Sequence, residues 1–274
     1  MPSLGYRYFA AVVLLSASTT SGHVVANDHV VAASAETPPP IPSHCTIPRL
    51  AASPDLLSAF RATYKGRAPV IFPSPPSGAA AALAAPVLLH AYGHLPVTLA
   101  SSNRNSYEKR ASTLFRYVAE DFEPVTLASA ADRTWYLFGD TLPTPEWAPL
   151  HATFSVPLDA ARDEPVVAWG IGGRHSGVPF HRHGAVYAAT VLGRKRWWLA
   201  PPHREPAFDG NATQLAYASA HAAADADGVV ACTVEAGESI YVPPMWWHAT
   251  LNLEAYNAFT TVFVREAVPE TAWL

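Results

Sequence analysis

The stretch Gly177-Val-Pro-Phe-His-Arg-His-Gly184, answered further on by Gly237-Glu-Ser-Ile-Tyr-Val-Pro-Pro-Met-Trp-Trp-His248, decides how this chain is read. Both are short runs containing β-branched or aromatic residues, opened by glycine and interrupted by proline, as short strands are. Side chains at i and i+2 of a strand share a face, so His181 and His183 point one way and Arg182 the other. His248, at the end of the second run, is a third imidazole for the same face. Three neutral imidazoles suit Fe(II), Zn(II) or Cu(II). A histidine pair at this spacing is also an ordinary polar feature of a sheet surface, and spacing alone leaves both readings open.

Working outward, Pro165 to Ile171, Val178 to His183, Val186 to Leu192, Arg196 to Leu199, Val229 to Val234, Ser239 to Val242 and Ala258 to Val264 read as strands. Glycine or proline punctuates nearly every interval, and the one helical period lies at about 212–224. That pattern predicts an antiparallel sandwich or barrel. The N-terminal part reads differently. It predicts helices over 53–65, with Ser53 as cap and Pro54 at the first helical position, over 79–93, closing near Gly93, and over 112–120. Strands are expected at Ala68 to Phe72, Val97 to Ala100 and Arg133 to Phe138. The fold class is mainly β with flanking helices.

Composition narrows the function classes. Half of the 274 residues are hydrophobic, enough to bury a full core, so disorder of the whole chain is excluded. A net charge of −4 with three lysines gives no basic footprint for nucleic acid or an anionic membrane. Residues 1–22 carry Arg7, an apolar run from Phe9 to Leu15 and then small residues, the pattern of a secretory signal with cleavage up to about residue 35. The run is too short for a bilayer anchor, since spanning takes about 20 residues. Residues 23–44 read as a linker, with Pro38, Pro39, Pro40 and Pro42 close together. An oxidising lumen allows Cys45 and Cys232 to pair, closing a loop worth roughly 4–5 kcal/mol in the chain-entropy model; the alternative is two buried free thiols. Asn211-Ala-Thr213 is an acceptor sequence for a surface glycan on Asn211.

The elements Pro179-Phe-His-Arg-His183, Gly193-Arg-Lys-Arg-Trp197 and Ala236-Gly-Glu-Ser-Ile-Tyr-Val-Pro-Pro-Met-Trp-Trp-His-Ala-Thr-Leu-Asn-Leu253 resemble those of JmjC and cupin-like domains of the Fe(II)/2-oxoglutarate oxygenase superfamily. His44-Cys45-Thr46, Ala68-Pro-Val-Ile71, Tyr136-Leu-Phe-Gly-Asp140 with Glu146-Trp147, and Asn211-Ala-Thr-Gln-Leu-Ala216 extend the resemblance over nearly everything after the linker. It implies a double-stranded β-helix (cupin/JmjC jelly roll) at 151–270, closing over an internal pocket, with 45–150 as an α+β cover. It also implies a location in the endoplasmic reticulum lumen, in keeping with the signal, the cysteines and the sequon; secretion is the alternative.

One position departs from the pattern. Active members of the superfamily carry His-x-Asp/Glu and a distal His, and here His183 stands where the carboxylate belongs. The exchange raises the net charge of the site by one and removes a hard oxygen ligand. Lys195 matches the lysine that pairs with the distal carboxylate of 2-oxoglutarate, although Arg194, Lys195 and Arg196 also form a charge run that is partly solvated in any fold. Thr250 and Asn252 are candidate polar contacts to the cosubstrate. Tyr187 and Val178 occupy positions where many relatives place a polar residue beside it. Trp197, Trp198, Trp246 and Trp247 read as core packing rather than as a substrate platform. The function expected is a lumenal binding or regulatory protein with a protein partner, noncatalytic or weakly catalytic. An Fe(II)/2-oxoglutarate hydroxylase and a three-histidine cupin enzyme independent of 2-oxoglutarate are the alternatives.

Overall fold

A computed structural model describes residues 41, 44–103, 108–122, 124–138, 144–221 and 228–267. The expected signal at 1–22, most of the linker at 23–44, Asp140, and the last residues of the 212–224 helix lie outside them. Among the described residues no helix is long and apolar enough to cross a membrane.

Two antiparallel sheets form the body of the molecule. The larger has the order β1 (Val70–Pro73), β10 (Glu238–Val242), β7 (Val186–Leu192), β12 (Asn257–Phe263), β5 (Val166–Gly172). The smaller runs β6 (Gly177–His181), β11 (Trp247–Asn252), β8 (Arg194–Ala200), β9 (Val230–Glu235). Apart from β8 and β9, neighbours within each sheet are not consecutive strands of the chain, which is the double-stranded β-helix arrangement. Gly193 and Gly237, with φ of 78° and 86°, turn β7 into β8 and β9 into β10 where a side chain would be strained. A third, small sheet joins β3 (Lys109–Thr113), β2 (Pro96–Ser101) and β4 (Trp135–Tyr136).

Strand alternation sorts the core. Ile71, Val186, Ala188, Ile240 and Val242 of the larger sheet meet Trp197, Leu199, Cys232 and Val234 of the smaller one. On the outer face of the larger sheet, Phe72, Tyr187 and Tyr241 receive Phe60 of α1 (Leu56–Thr63). Further helices are α2 (Ala79–Ala82), α3 (Ala85–Tyr92), α4 (Leu114–Glu120), α5 (Ala148–His151) and α6 (Gln214–Ala220). Leu215 and Ala218 of α6 close the outer face of the smaller sheet over Phe180, Trp198 and Trp247. Each fully buried Val, Leu, Ile or Phe side chain among them contributes about 1.5–3 kcal/mol of transfer free energy.

Several local expectations are corrected. The first helix starts at Leu56 with Asp55 at the cap, because Pro54 and Asp55 are spent on a turn ahead of it. The 79–93 helix is two helices. A continuous one would hold Pro86 in its interior, where it removes a hydrogen bond and clashes with the preceding turn, so the chain breaks at Ala84 and restarts with Pro86 in the first turn. The strand expected at Arg133 to Phe138 shortens to β4. Strand β3 was not foreseen, because Lys-Arg-Ala-Ser-Thr carries no apolar alternation and exists only through pairing with β2.

Cys45 and Cys232 form a disulfide across 187 residues, tying the N-terminal segment to β9. Thr46 continues the tie, its N–H donating to the Ala231 carbonyl at 3.0 Å. Replacing both cysteines by alanine is expected to lower the unfolding free energy in urea by about 2–5 kcal/mol. An unchanged midpoint would show that the staple adds nothing.

Candidate metal centre

The two sheets converge at one end on three histidines. His181 is the last residue of β6 and lies opposite His248 of β11 in the register. His183 is not on the strand, contrary to the expectation from the i, i+2 spacing, because β6 stops at His181. Its backbone is instead held by the turn between β10 and β11. Met245 sits there at a φ of 64°, and its N–H donates to the His183 carbonyl at 2.7 Å. A left-handed methionine is uncommon, and here it brings two distant loops together. His248 also starts its strand as the second residue of β11, rather than ending the preceding one.

Each ring is oriented by a local carbonyl. The Nδ1 atoms of His181, His183 and His248 each lie 2.9 Å from a backbone oxygen, of Pro179, Gly184 and Trp246 respectively. A carbonyl only accepts, so each Nδ1 carries the proton and each Nε2 is left with its lone pair. The ligand nitrogens of all three lie within 4.8 Å of one another, and Nε2 of His183 and Nε2 of His248 are 3.1 Å apart. Two lone pairs at that distance repel unless a cation lies between them. Around an ion with bonds of about 2.0–2.1 Å, nitrogens at right angles are separated by about 3 Å.

Burial favours the neutral form of His183 and His248. It lowers the pKa of His183, and it holds that of His248 well below the usual value, with the neighbouring His181 and His183 adding to the effect. Trp197 packs nearly parallel to the His248 ring at 6.1 Å, so this tryptophan lies beside the site as well as in the core. Trp198 and Trp247 are core residues.

Behind the histidines the sheets enclose a cavity of about 280 Å³. The β11 register places His248, Thr250 and Asn252 on one face, opposite Leu199, Trp197 and Lys195 of β8. At a rise of about 3.4 Å per residue, Asn252 and Lys195 lie roughly 13–14 Å along the sheet from His248. Alternation also resolves the charge run. Arg194 turns out to Glu254 at 2.6 Å, Arg196 bonds the His44 carbonyl at 2.6 Å, and Lys195 faces the cavity. Lys195 Nζ lies 3.7 Å over the Phe259 ring and 3.3 Å from Asn252 Oδ1, and burial pushes its pKa down to about 7. The Asn252 amide in turn donates to Ser176 Oγ at 3.0 Å, so Asn252 holds Lys195 in place.

Thr250 and Val178 line the cavity, whereas Tyr187 does not. Val186 takes the inward position on β7, and Tyr187 points to the opposite face, where its hydroxyl reaches Glu266. Tyr136, Phe138, Phe259, Thr261 and Phe263 also line the cavity and were not foreseen. The alternation Phe259, Thr261, Phe263 was the available signal for three of them. Asn211 is exposed in the turn before α6, far in sequence from these residues.

In the metal-free protein at neutral pH, nitrogen NMR is expected to show the Nδ1–H tautomer at His181, His183 and His248, with all three Nε2 resonances shifting on addition of Zn(II). Nε2–H at any two of them would contradict the arrangement.

No protein-family profile matches the chain. Among curated proteins it is 39% identical over 180 residues to JmjC domain-containing protein 8 of Homo sapiens, covering 65% of this chain and 66% of that protein. The Mus musculus protein of the same name is 40% identical over 183 residues, 65% of each chain. A more distant match, 29% over 203 residues, is the lysine-specific demethylase JMJ21 of Arabidopsis thaliana, of which only 21% is covered. The matched stretch thus spans just under two thirds of the first relatives' own length. Sheet order, histidine cluster and sequence agree in a likeness to JmjC domain-containing protein 8, over just under two thirds of that protein, and in a jelly roll of the JmjC/cupin kind.

Proposed function

We propose that this chain is a lumenal JmjC-fold binding protein that holds a divalent transition metal on His181, His183 and His248 and accepts a small carboxylate in the cavity behind them. The observation that carries the reading is the set of three Nδ1-to-carbonyl bonds, which leave the lone pairs to a metal. The donor set fits iron, zinc or copper. It also fits 2-oxoglutarate as the carboxylate, with Lys195 for the distal carboxyl group and Asn252 keeping that lysine in place. Iron and 2-oxoglutarate, when bound, supply oxidative chemistry in this superfamily. The residues of this chain orient, exclude water through the phenylalanines and balance charge.

Charge favours binding over turnover. No carboxylate lines the cavity among the described residues, so the site is one charge more positive than a His-x-Asp/Glu site. That retains an anion well and lacks the anionic ligand of the oxidative enzymes. The disulfide supports an oxidising lumen, and the exposed Asn211 supports a glycan there. The biological role is then exerted on a protein partner through the surface. An Fe(II)/2-oxoglutarate hydroxylase is the second reading, favoured by the inward Lys195; a three-histidine enzyme without 2-oxoglutarate is favoured by the donor set alone. Consumption of 2-oxoglutarate by iron-loaded protein with lumenal peptides would displace the binding reading in favour of the hydroxylase.

Lys195 must be protonated to hold a carboxylate. With its pKa near 7 in the free protein, binding above that pH requires proton uptake. Calorimetric affinity for 2-oxoglutarate is therefore expected to be flat below pH 7 and to fall by up to about tenfold per unit above it. Lys195→Met should remove that slope and weaken binding. An unaltered affinity in the variant would take Lys195 out of the site.

A further inference from the structure

We propose that Lys195 is a carbonyl-reactive amine, and that the cavity binds a small aldehyde or ketone and joins it to Lys195 Nζ as an imine. This goes beyond the carboxylate reading and needs no metal.

Lys195 is 7% exposed, yet it lines a cavity able to hold a small molecule. Its contacts are the Phe259 ring face and the Asn252 amide oxygen. Both favour an ammonium, but neither carries a charge. From β11 it faces Thr250 and Asn252, from β12 Phe259 and Thr261, and from β6 Gly177 and Val178; among the described residues Tyr136 is the one other titratable group lining the cavity besides the three histidines at its far end. No carboxylate compensates the charge among the described residues, so burial favours the free amine. The chain's other lysines differ. Lys65 is held protonated by Asp163 at 2.7 Å and Asp159 at 3.2 Å, and Lys109 lies exposed on β3.

A desolvated lysine amine in an apolar pocket is the recognised form of a Schiff-base nucleophile. The Nζ lone pair attacks the carbonyl carbon. The carbon–oxygen double bond gives way to a carbon–nitrogen double bond, and the oxygen leaves as water with the two amine protons. No oxidant or reductant is consumed, and the phenylalanine walls slow the return of water. A ligand with a carbonyl at one end and a carboxylate at the other places its anion toward the histidine end.

Glyoxylate with cyanoborohydride tests this, because hydride delivered to the imine carbon makes the adduct permanent, and with only three lysines its position is mapped directly by peptide mass spectrometry. At pH 7 the expected result is modification of Lys195 about a hundredfold faster than of Lys65 or Lys109. The rate should persist in the presence of a chelator and vanish in Lys195→Arg, which keeps the charge but not the nucleophile. Equal labelling of the three lysines in folded wild-type protein, or a Lys195 left unmodified, overturns the proposal. A failure of metal binding alone leaves this labelling unchanged, so the two readings fail separately.

Discussion

A hydrogen bond from each imidazole Nδ1 to a nearby backbone carbonyl is the constraint on which the site depends. Without it, three histidines near one another are only three polar rings. With it, each ring has one tautomer and one direction, and the lone pairs of His183 and His248 are brought to 3.1 Å. Such convergence costs electrostatic energy that the rest of the fold must offset. The apolar layers around β7, β8, β9 and β10 do so, as does the Met245 turn, which binds His183 and leads directly into His248. The two ligand loops are thereby one mechanical unit, so a change in the Pro243-Pro244-Met245 turn acts on two ligands together.

Strand alternation gives the cavity its two ends. One face of β11 and β8 carries His248, Thr250 and Asn252 beside Trp197 and Lys195, so the imidazole cluster at one end looks along an apolar channel to an amine at the other. The exchange of a carboxylate for His183 changes how that pair of ends behaves. A site with an anionic ligand partly cancels its metal. Three neutral imidazoles would not, and compensation for a bound metal would have to come from whatever occupies the cavity. The Ser176, Asn252 and Lys195 relay shows that the far end is as deliberately held as the near one.

How much of this was legible in the sequence varies with the range of the forces involved. The strands from β5 to β12 were readable because period and turn chemistry are local. His181 and His248 were readable for the same reason, each lying on or beside a strong strand signal. His183 was assigned to the right cluster by the wrong route: its ring converges from a turn, set by a long-range bond to Met245 that no local pattern encodes. Tyr187 stands at a position where many relatives carry a polar residue beside the cosubstrate, and alternation with Val186 puts its side chain on the far side of the sheet. Strand β3 was invisible, because a polar segment becomes a strand only when a partner is already in place. The inward choice of Lys195 within its charge run needed the register with Asn252.

Three imidazole nitrogens sharing one ion are the centre of the proposed site. Anomalous diffraction at the absorption edge of Co(II) or Zn(II), from crystals of protein given one equivalent of metal, tests that most directly. The predicted result is one strong peak at about 2.0–2.2 Å from Nε2 of His181, His183 and His248, with all three Nδ1 bonds intact. A peak elsewhere, or rings turned apart with no ion between them, would contradict it.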